Sequence, residues 1–457
     1  MPSSSPVCPI ERRPIEPANR GPEIADPAIA KTPDRDEVES VVPQNDRLYD
    51  RDFVIALVSQ TCFVMANTLM AHFSRWIEFL GGDLRQVGLI MGSAAMLGLL
   101  LRPWMAQWIN RIGARAMWGV GYGVFAISSL SNLFLHELGP AIYLTRGGIV
   151  LGAAIVFASG LTFVSQTAPA HRRTEAIGIL GVGGFLGMLL GPAIGDMFLG
   201  SDVRHRVDFV WLFSAATIAN LLPACLLLFL HAPHSVGDQR PARLREFFAT
   251  VRAYWPGTIL LVDLAFGVCI TAPLIFVASF VDTLHLQIPG LSVIGLFFWC
   301  YAGVAIVVRV GFRRLPDVVG PDRVLLVGTV FMSLGMFAFS VVSTEKPWLI
   351  VIPALLGGVG HSLMFHTMVS LTLIRFPRKA HGTGSTLALM MLDLGTILGA
   401  PILGLIGQSF GFGVLFAAIG LFCLGSASVY AISRRRHRTP VERTGPKSIG
   451  SDQPLVA

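Results

Sequence analysis

From Phe53 to Ser433 the chain alternates long apolar stretches with short polar breaks. A bilayer core about 30 Å thick takes about 20 helical residues to cross. Cut at its polar breaks, the stretch resolves into twelve spans: 53–72, 86–107, 116–135, 140–166, 175–199, 208–231, 257–281, 291–311, 323–343, 348–373, 382–407 and 411–433. Backbone N–H and C=O groups in lipid have to be satisfied inside their own segment, so each span is predicted to be a helix. A membrane β-barrel would show alternating segments of about ten residues, and none occur here.

The two halves of the pattern repeat. Arg102, Asn110 and Gly113 after the second span match Arg309, Asp317 and Gly320 after the eighth, at an offset of 207. Gly152 and Phe157 match Gly360 and Phe365 at an offset of 208, as do Gly187 and Gly191 with Gly395 and Gly399. Three matches in order indicate a duplicated six-helix unit. The expected fold class is an all-α membrane protein, with twelve transmembrane helices in two pseudo-symmetric six-helix bundles. The longest internal break separates them. The expected division is a disordered tail over 1–52, a bundle over 53–231, a linker over 232–256, a bundle over 257–433 and a second tail over 434–457.

Composition agrees. Charged residues make up 14% of the 457 and cluster in the tails, against about 25% in soluble domains. Too few charges remain between Phe53 and Ser433 to cover a soluble surface. Nucleic acid is therefore not read as a partner, despite the net charge of +7. Six Cys without paired spacing argue against a disulfide framework, and no Cys/His pattern suggests a metal. No cofactor is expected. The first 52 residues hold nine Pro and no apolar run, which excludes a cleaved signal peptide.

Lys and Arg counting sets the expected orientation. With both tails in the cytoplasm, the inner loops hold sixteen basic residues and the outer loops five. Arg75, Arg204 and Arg206 fall among the outer loops, and Arg102 and Arg309 among the inner ones. Within the linker, Leu244, Phe247, Phe248, Val251 and Trp255 interleave with basic residues. That pattern suits either a helix on the inner membrane surface or a plain basic linker.

Two facing membrane repeats place a pathway at their interface, and rocking would expose it to each side in turn. There is no G-x-x-x-x-G-K-[ST] phosphate loop, so ATP does not drive the rocking. No hydrolytic triad or metal cluster suggests an enzyme.

Three local sequences resemble the major facilitator superfamily, and the resemblance covers roughly 53–433. The stretch from Arg102 to Arg115 is similar to the family's motif A, with Arg111, Gly113 and Arg115 in place. Asn110 stands where the family usually has Asp, and Ala106 where it has Gly; the second copy keeps Asp317 and Gly320. The resemblance implies a gate between the halves, here without the first Asp's charge. Leu144 to Gly152 resembles motif B, whose buried Arg, here Arg146, is linked to proton coupling. Gly178, Gly187, Gly191, Pro192 and Gly195 resemble antiporter motif C, with Asp196 replacing the last Gly. Gly184, Gly187, Gly191 and Gly195 share one helical stripe, which permits close helix approach, and Pro192 allows a bend. The stretches Gly357–His361 and Asp393–Gly395 resemble sugar- and drug-efflux members.

Ionisable residues deep in spans are costly and usually functional. Asp263, Asp393 and Arg146 lie inside spans, with His361 and His366 in the tenth; Asp196 sits near the outer end of the fifth. Asp393 shares a stripe with Thr386, Thr396 and Ala400, away from Gly395 and Gly399. That placement suits a proton carrier facing the pathway. Arg146 suits an acid, an anionic substrate or backbone carbonyls. Asp263 and His361 are further proton-coupling candidates. His361 and His366 are five residues apart and cannot face one point. Gln60 and Asn67 on the first span, Trp299 and Tyr301 on the eighth, and His366 are candidate substrate contacts. The expected partners are a small organic substrate, protons and the bilayer, with a monomer as the working unit in the cell membrane. The expected function is proton-coupled efflux by antiport. Import by symport or facilitated diffusion stays open, as does a non-transporting receptor or scaffold.

Overall fold

The computed structural model describes residues 49–169, 172–200, 203–231, 244–312, 315–377 and 380–437. Residues 1–48 and 438–457 of the tails and 232–243 of the linker lie outside these residues, and with them the expectations made for the N-terminal tail up to residue 48. The first bundle is built from α1 (Arg51–Leu69), α2 (Phe73–Phe79), α3 (Leu84–Ile112), α4 (Ala114–Ser131), α5 (Ala141–Thr167), α6 (Arg173–Leu199) and α7 (Arg206–Leu226). The linker carries α8 (Leu244–Ala253). The second bundle comprises α9 (Ile259–Thr283), α10 (Val293–Gly311), α11 (Leu315–Val319), α12 (Pro321–Phe337), α13 (Val351–Leu373) and α14 (His381–His437). The described residues form no β-strand, only isolated bridges at Ile288–Leu291 and Ser343–Lys346.

Ten helical segments among the described residues are long and apolar enough to cross a membrane. One contains α1 and α2, joined by a 3-10 turn at Met70–His72. Another is α14, which is two helices joined at Gly411, where φ is 79° and ψ 172°. Counting α14 twice and adding α4 gives twelve crossings. One face of the molecule carries the start of α1 and the end of α14; we call it the tail face and the other the far face.

The helix starts follow local chemistry. The Asp50 carboxylate accepts from Phe53 N at 2.8 Å, and the Ser292 hydroxyl from Gly295 N at 2.7 Å. Asp83 and Gln86 form a reciprocal capping box at the start of α3. Each such cap contributes about 1 kcal/mol.

The repeat is visible in the backbone. Gly113 ends α3 at φ 93°, ψ 145°, and its counterpart Gly320 precedes α12 at φ 96°, ψ 138°. This left-handed region favours glycine, so the tight turn after the second crossing keeps one in both copies. The matched small residues also do matched work. A methyl on Gly152 would come 2.6 Å from Phe125 N on α4, and one on Gly360 2.6 Å from Met332 N on α12. In both bundles the fourth crossing is thus seated on the third.

Each bundle has an aromatic core. Phe63, Tyr122 and Phe125 meet between α1 and α4 at ring separations of 5.7–5.9 Å. Phe339 and Phe416 stack at 3.8 Å in the second bundle, with Phe280 edge-on to both. The bundles meet along α3 with α14 and along α6 with α10. Glycine lets the first pair close: a methyl on Gly404 would stand 2.5 Å from Leu84 O. On the linker helix α8, Val251 and Phe247 pack with Leu260, Phe376 and Leu387 of the second bundle, while Phe248, and Trp255 just beyond the helix, remain exposed.

Candidate functional site: the junctions between the halves

The far face is tied by a buried polar cluster. Arg75, on α2, is 2% exposed. Its Nε donates to Asp282 Oδ2 at 2.9 Å and its Nη2 to Oδ1 at 2.7 Å, a bidentate bond to α9 of the other half. Its Nη1 donates to Asp196 Oδ1 on α6 at 2.6 Å and meets His72 Nδ1 at 3.0 Å. Arg204 Nη2 also pairs with Asp282, at 2.8 Å. Three more bonds cross between the halves here. Ser292 donates to Asp196 at 2.5 Å, Ser279 to Glu78 at 2.5 Å, and Leu84 N to Gln408 Oε1 at 3.2 Å.

This corrects the reading of Arg75 as a loop residue and of Asp196 as marginal. Counting apolar residues stops the first span at His72, but the helix runs on to Phe79. Two acids contributed by other helices make burial of the guanidinium tolerable. A signal was present in the sequence: Arg75 and Asp282 are 207 residues apart, the offset of the repeat. They are counterparts in the two copies, and positions near a pseudo-two-fold axis meet their own counterparts.

In the tail-side half of the interface, Arg102 of α3 pairs through Nε with Asp393 of α14 at 2.5 Å. The two side chains are 22% and 25% exposed. Arg102 therefore belongs to a helix, not a loop, because α3 continues to Ile112. Gly395 and Gly399 face α9, where a methyl on either would meet Val268 at 3.0 Å. Thr396 shares a 2.6 Å hydrogen bond with Thr271 of α9.

Arg309, likewise assigned to a loop by its charge, lies inside α10. Its guanidinium sits 5.7 Å from the centre of the Phe185 ring on α6, in the other half. It also bonds His366 Nε2. Nearby, Tyr301 OH and His361 Nδ1 are 2.8 Å apart. The His361 ring lies 5.2 Å from both Phe185 and Phe266. Tyr301, His361, His366, Arg309 and Phe185 thus line one zone between α6, α10 and α13. Trp299, two residues from Tyr301, is not part of it. The residue points to the other side of α10 and is 38% exposed.

The remaining candidates lie elsewhere. Asp263 is fully buried inside the second bundle. Its Oδ2 accepts from Thr372 at 2.9 Å, and its Oδ1 has no partner. Arg146 lies over the Phe73 ring at 4.8 Å, with Nε and Nη1 buried and unbonded. Among the described residues, neither of these two nitrogens is bonded to an acid or a backbone carbonyl. Gln60 is buried with Oε1 unpaired, and Asn67 is half-buried two turns further along α1. Arg111 is exposed, and Arg115 donates to Leu228 O at 3.0 Å. The side chains of Asn110 and Asp317 lie outside the described residues.

The glycines of α6 seat α1. A methyl on Gly187 would stand 2.6 Å from Thr61 O, and one on Gly191 2.5 Å from Met65 O. Gly195 faces the His72 ring, and the Pro192 carbonyl accepts from His72 Nε2 at 2.8 Å. Gly178 faces open space.

Two bundles related by a repeat, meeting along paired helices with ion pairs between them, make a recognisable architecture. The family model described as Major Facilitator Superfamily matches residues 53–395 and 312–455. This chain belongs to the major facilitator superfamily. It is a multi-pass integral membrane protein that transports small molecules. It is 23% identical over 374 residues to the multidrug resistance protein MdtG of Salmonella paratyphi C, covering 78% of this chain and 87% of that one. It is 21% identical over 426 residues to the hexuronate transporter of Escherichia coli K12, covering 84% and 94%. Among solved structures, a POT family transporter superposes with a TM-score of 0.71 at 12% identity, covering 85% of this chain and 97% of that one. A D-xylose–proton symporter superposes with a TM-score of 0.66 at 15% identity, covering 82% and 95%.

Proposed function

We propose that this protein exports a small organic molecule in exchange for protons, with both tails in the cytoplasm. The observation that carries this reading is the Arg102–Asp393 pair. A carboxylate that bonds one half to the other is a switch a proton can throw. Protonation of Asp393 removes its charge and with it most of the attraction for Arg102. The tail side then opens, the proton leaves inward, and substrate enters. Substrate binding and re-formation of the pair close that side and favour the far-side opening. The likeness to a multidrug resistance protein and the motif C glycines of α6 support the outward direction. The basic residues of the tail-side loops support the orientation. The two halves supply both walls of the pathway, so a monomer suffices.

The test is transport in vesicles with an imposed pH gradient. Asp393→Asn keeps the size of the side chain and cannot carry the proton. It is expected to fold and to lose gradient-driven transport entirely. Normal gradient-driven transport by that variant would sink the proposal.

Arg146 favours a second reading. A buried, unbonded guanidinium against Phe73 is poised for a carboxylate, and one relative is a hexuronate transporter. Under that reading the protein imports an organic anion. Accumulation of a labelled sugar acid in right-side-out vesicles, lost in Arg146→Gln, would select it.

A further inference from the structure

We propose that His72 is a second proton-binding site and that its protonation releases the far-face tie. The inference deepens the proton-coupled reading and takes its physiological direction from it.

The argument starts from the tautomer. His72 is fully buried in the 3-10 turn between α1 and α2. Its Nε2 lies 2.8 Å from the Pro192 carbonyl, which can only accept, so Nε2 carries a hydrogen. Its Nδ1 lies 3.0 Å from Arg75 Nη1, which can only donate, so Nδ1 carries none. The closed far face therefore requires neutral His72. A proton on Nδ1 would set two donors and two positive charges against each other.

The nitrogen that donates to His72 belongs to the guanidinium that grips Asp282 of the other half. Arg75 cannot turn away from His72 and keep both its bidentate bond and its bond to Asp196. One proton thus acts directly on the bond between the halves.

The surroundings hold acids that could pair with a charged ring. The groups around His72 are Arg75 and Glu78 from α2, Asp196 from α6 and Asp282 from α9, with Arg204 on Asp282. Arg146 of α5 reaches the adjacent Phe73 ring. Once Arg75 moves, Asp196 can turn to pair with a histidinium. Local hydrogen bonding forbids the charged ring in the closed arrangement, and a carboxylate partner is within reach in another. Such an opposition makes a two-state switch.

The experiment places spin labels at Glu137 and Glu345, both exposed on far-face loops of opposite halves, in full-length protein with its native cysteines replaced, reconstituted in liposomes. Electron–electron distances are read as pH falls from about 8 to about 5, the range in which an ordinary histidine titrates. The far face is expected to open with acid, the open-to-closed ratio rising about tenfold per pH unit around the midpoint. His72→Gln keeps a donor for Pro192 and an acceptor for Arg75 but cannot charge; its distances should stay short throughout. Equal opening in that variant, or no opening in the parent, overturns the proposal. Should the variant fail to fold, hydrogen exchange at the His72 ring carbon in the unaltered protein gives its titration directly. A midpoint that tracks the opening supports the switch, and one that does not overturns it. Vesicle transport separates this from the broader reading. Gradient-driven transport with a far face indifferent to His72 defeats the switch alone. Transport indifferent to the gradient defeats the coupling, while acid opening through His72 would still stand.

Discussion

Two junctions in the tail-side half of the interface are copies of one another, yet they are bonded differently. Arg102 and Arg309 occupy the same position of the repeat, 207 residues apart. Asp393 and Phe185 also occupy matching positions, at the offset of 208 that relates Gly395 to Gly187. Arg102 meets Asp393 in an ion pair, whereas Arg309 meets the Phe185 ring. The duplication kept the cation at both junctions and the carboxyl at one. A proton can neutralise Asp393 at the first junction, whereas the Phe185 ring at the second has no charge to lose. The far face adds a third arrangement, in which Arg75 and Asp282 are themselves counterparts and the cation, Arg75, is only 2% exposed. Burial decides how much each tie is worth. An ion pair cut in a buried site leaves a charge stranded, whereas water can stand in at a part-exposed one.

The largest effect should therefore come from the far face. Arg75→Gln leaves Asp196 with Ser292 and leaves Asp282 with Arg204, and breaks the bidentate bond between the halves. The closed far face should lose about 3 kcal/mol, more than a hundredfold in population. The same Glu137–Glu345 distance reads it, and the variant should be open even at neutral pH. A distance distribution like the parent's would show that burial does not rank these ties.

These ties differ in how far the sequence reveals them. The crossings are legible because lipid imposes one rule on every span, and the observed helices follow the apolar runs closely, apart from the first, which runs on to Phe79. The repeat is legible because matched glycines keep matched contacts, as Gly152 and Gly360 do against α4 and α12. Asp393 stands out because an acid inside an apolar run is costly to bury. Arg75, Arg102 and Arg309 are not legible by the same rule. Each lies near the end of an apolar run, where a charge reads as a loop. Only partners from distant segments show that the helix continues past them. Nor is the opposing use of Trp299 and Tyr301 visible in composition. One faces outward and the other bonds His361, and which face of α10 meets α13 depends on packing.

The difference between the copied junctions can be erased. Phe185→Asp places a carboxyl opposite Arg309, as Asp393 stands opposite Arg102. A charge-assisted hydrogen bond there is worth about 2 kcal/mol. The closed tail side should become more populated by that amount, and turnover should slow about tenfold or more at neutral pH. Acid should restore the rate, because the added carboxyl can be protonated like the native one. Transport rates across a pH series would read both effects. Unchanged turnover with unchanged pH dependence would mean that the aromatic junction is not strained open and shut in the cycle.

The smallest effect is expected where water already reaches the pair. Arg102→Gln removes the partner of Asp393 but leaves a carboxylate that is 25% exposed and can be hydrated in place. The loss to the closed tail side should be about 1 kcal/mol or less. Gradient-driven transport should persist, since the proposed proton carrier is untouched, with tail-side opening favoured a few-fold. Asp393→Asn and Arg102→Gln remove opposite ends of the same bond. If the bond were merely structural, the two would behave alike. A proton carrier predicts that they part: the acid's loss ends coupled transport, while the base's loss only shifts the balance of the tail side. Matching defects in coupled vesicle transport would reduce Asp393 to one half of an ordinary helix–helix tie.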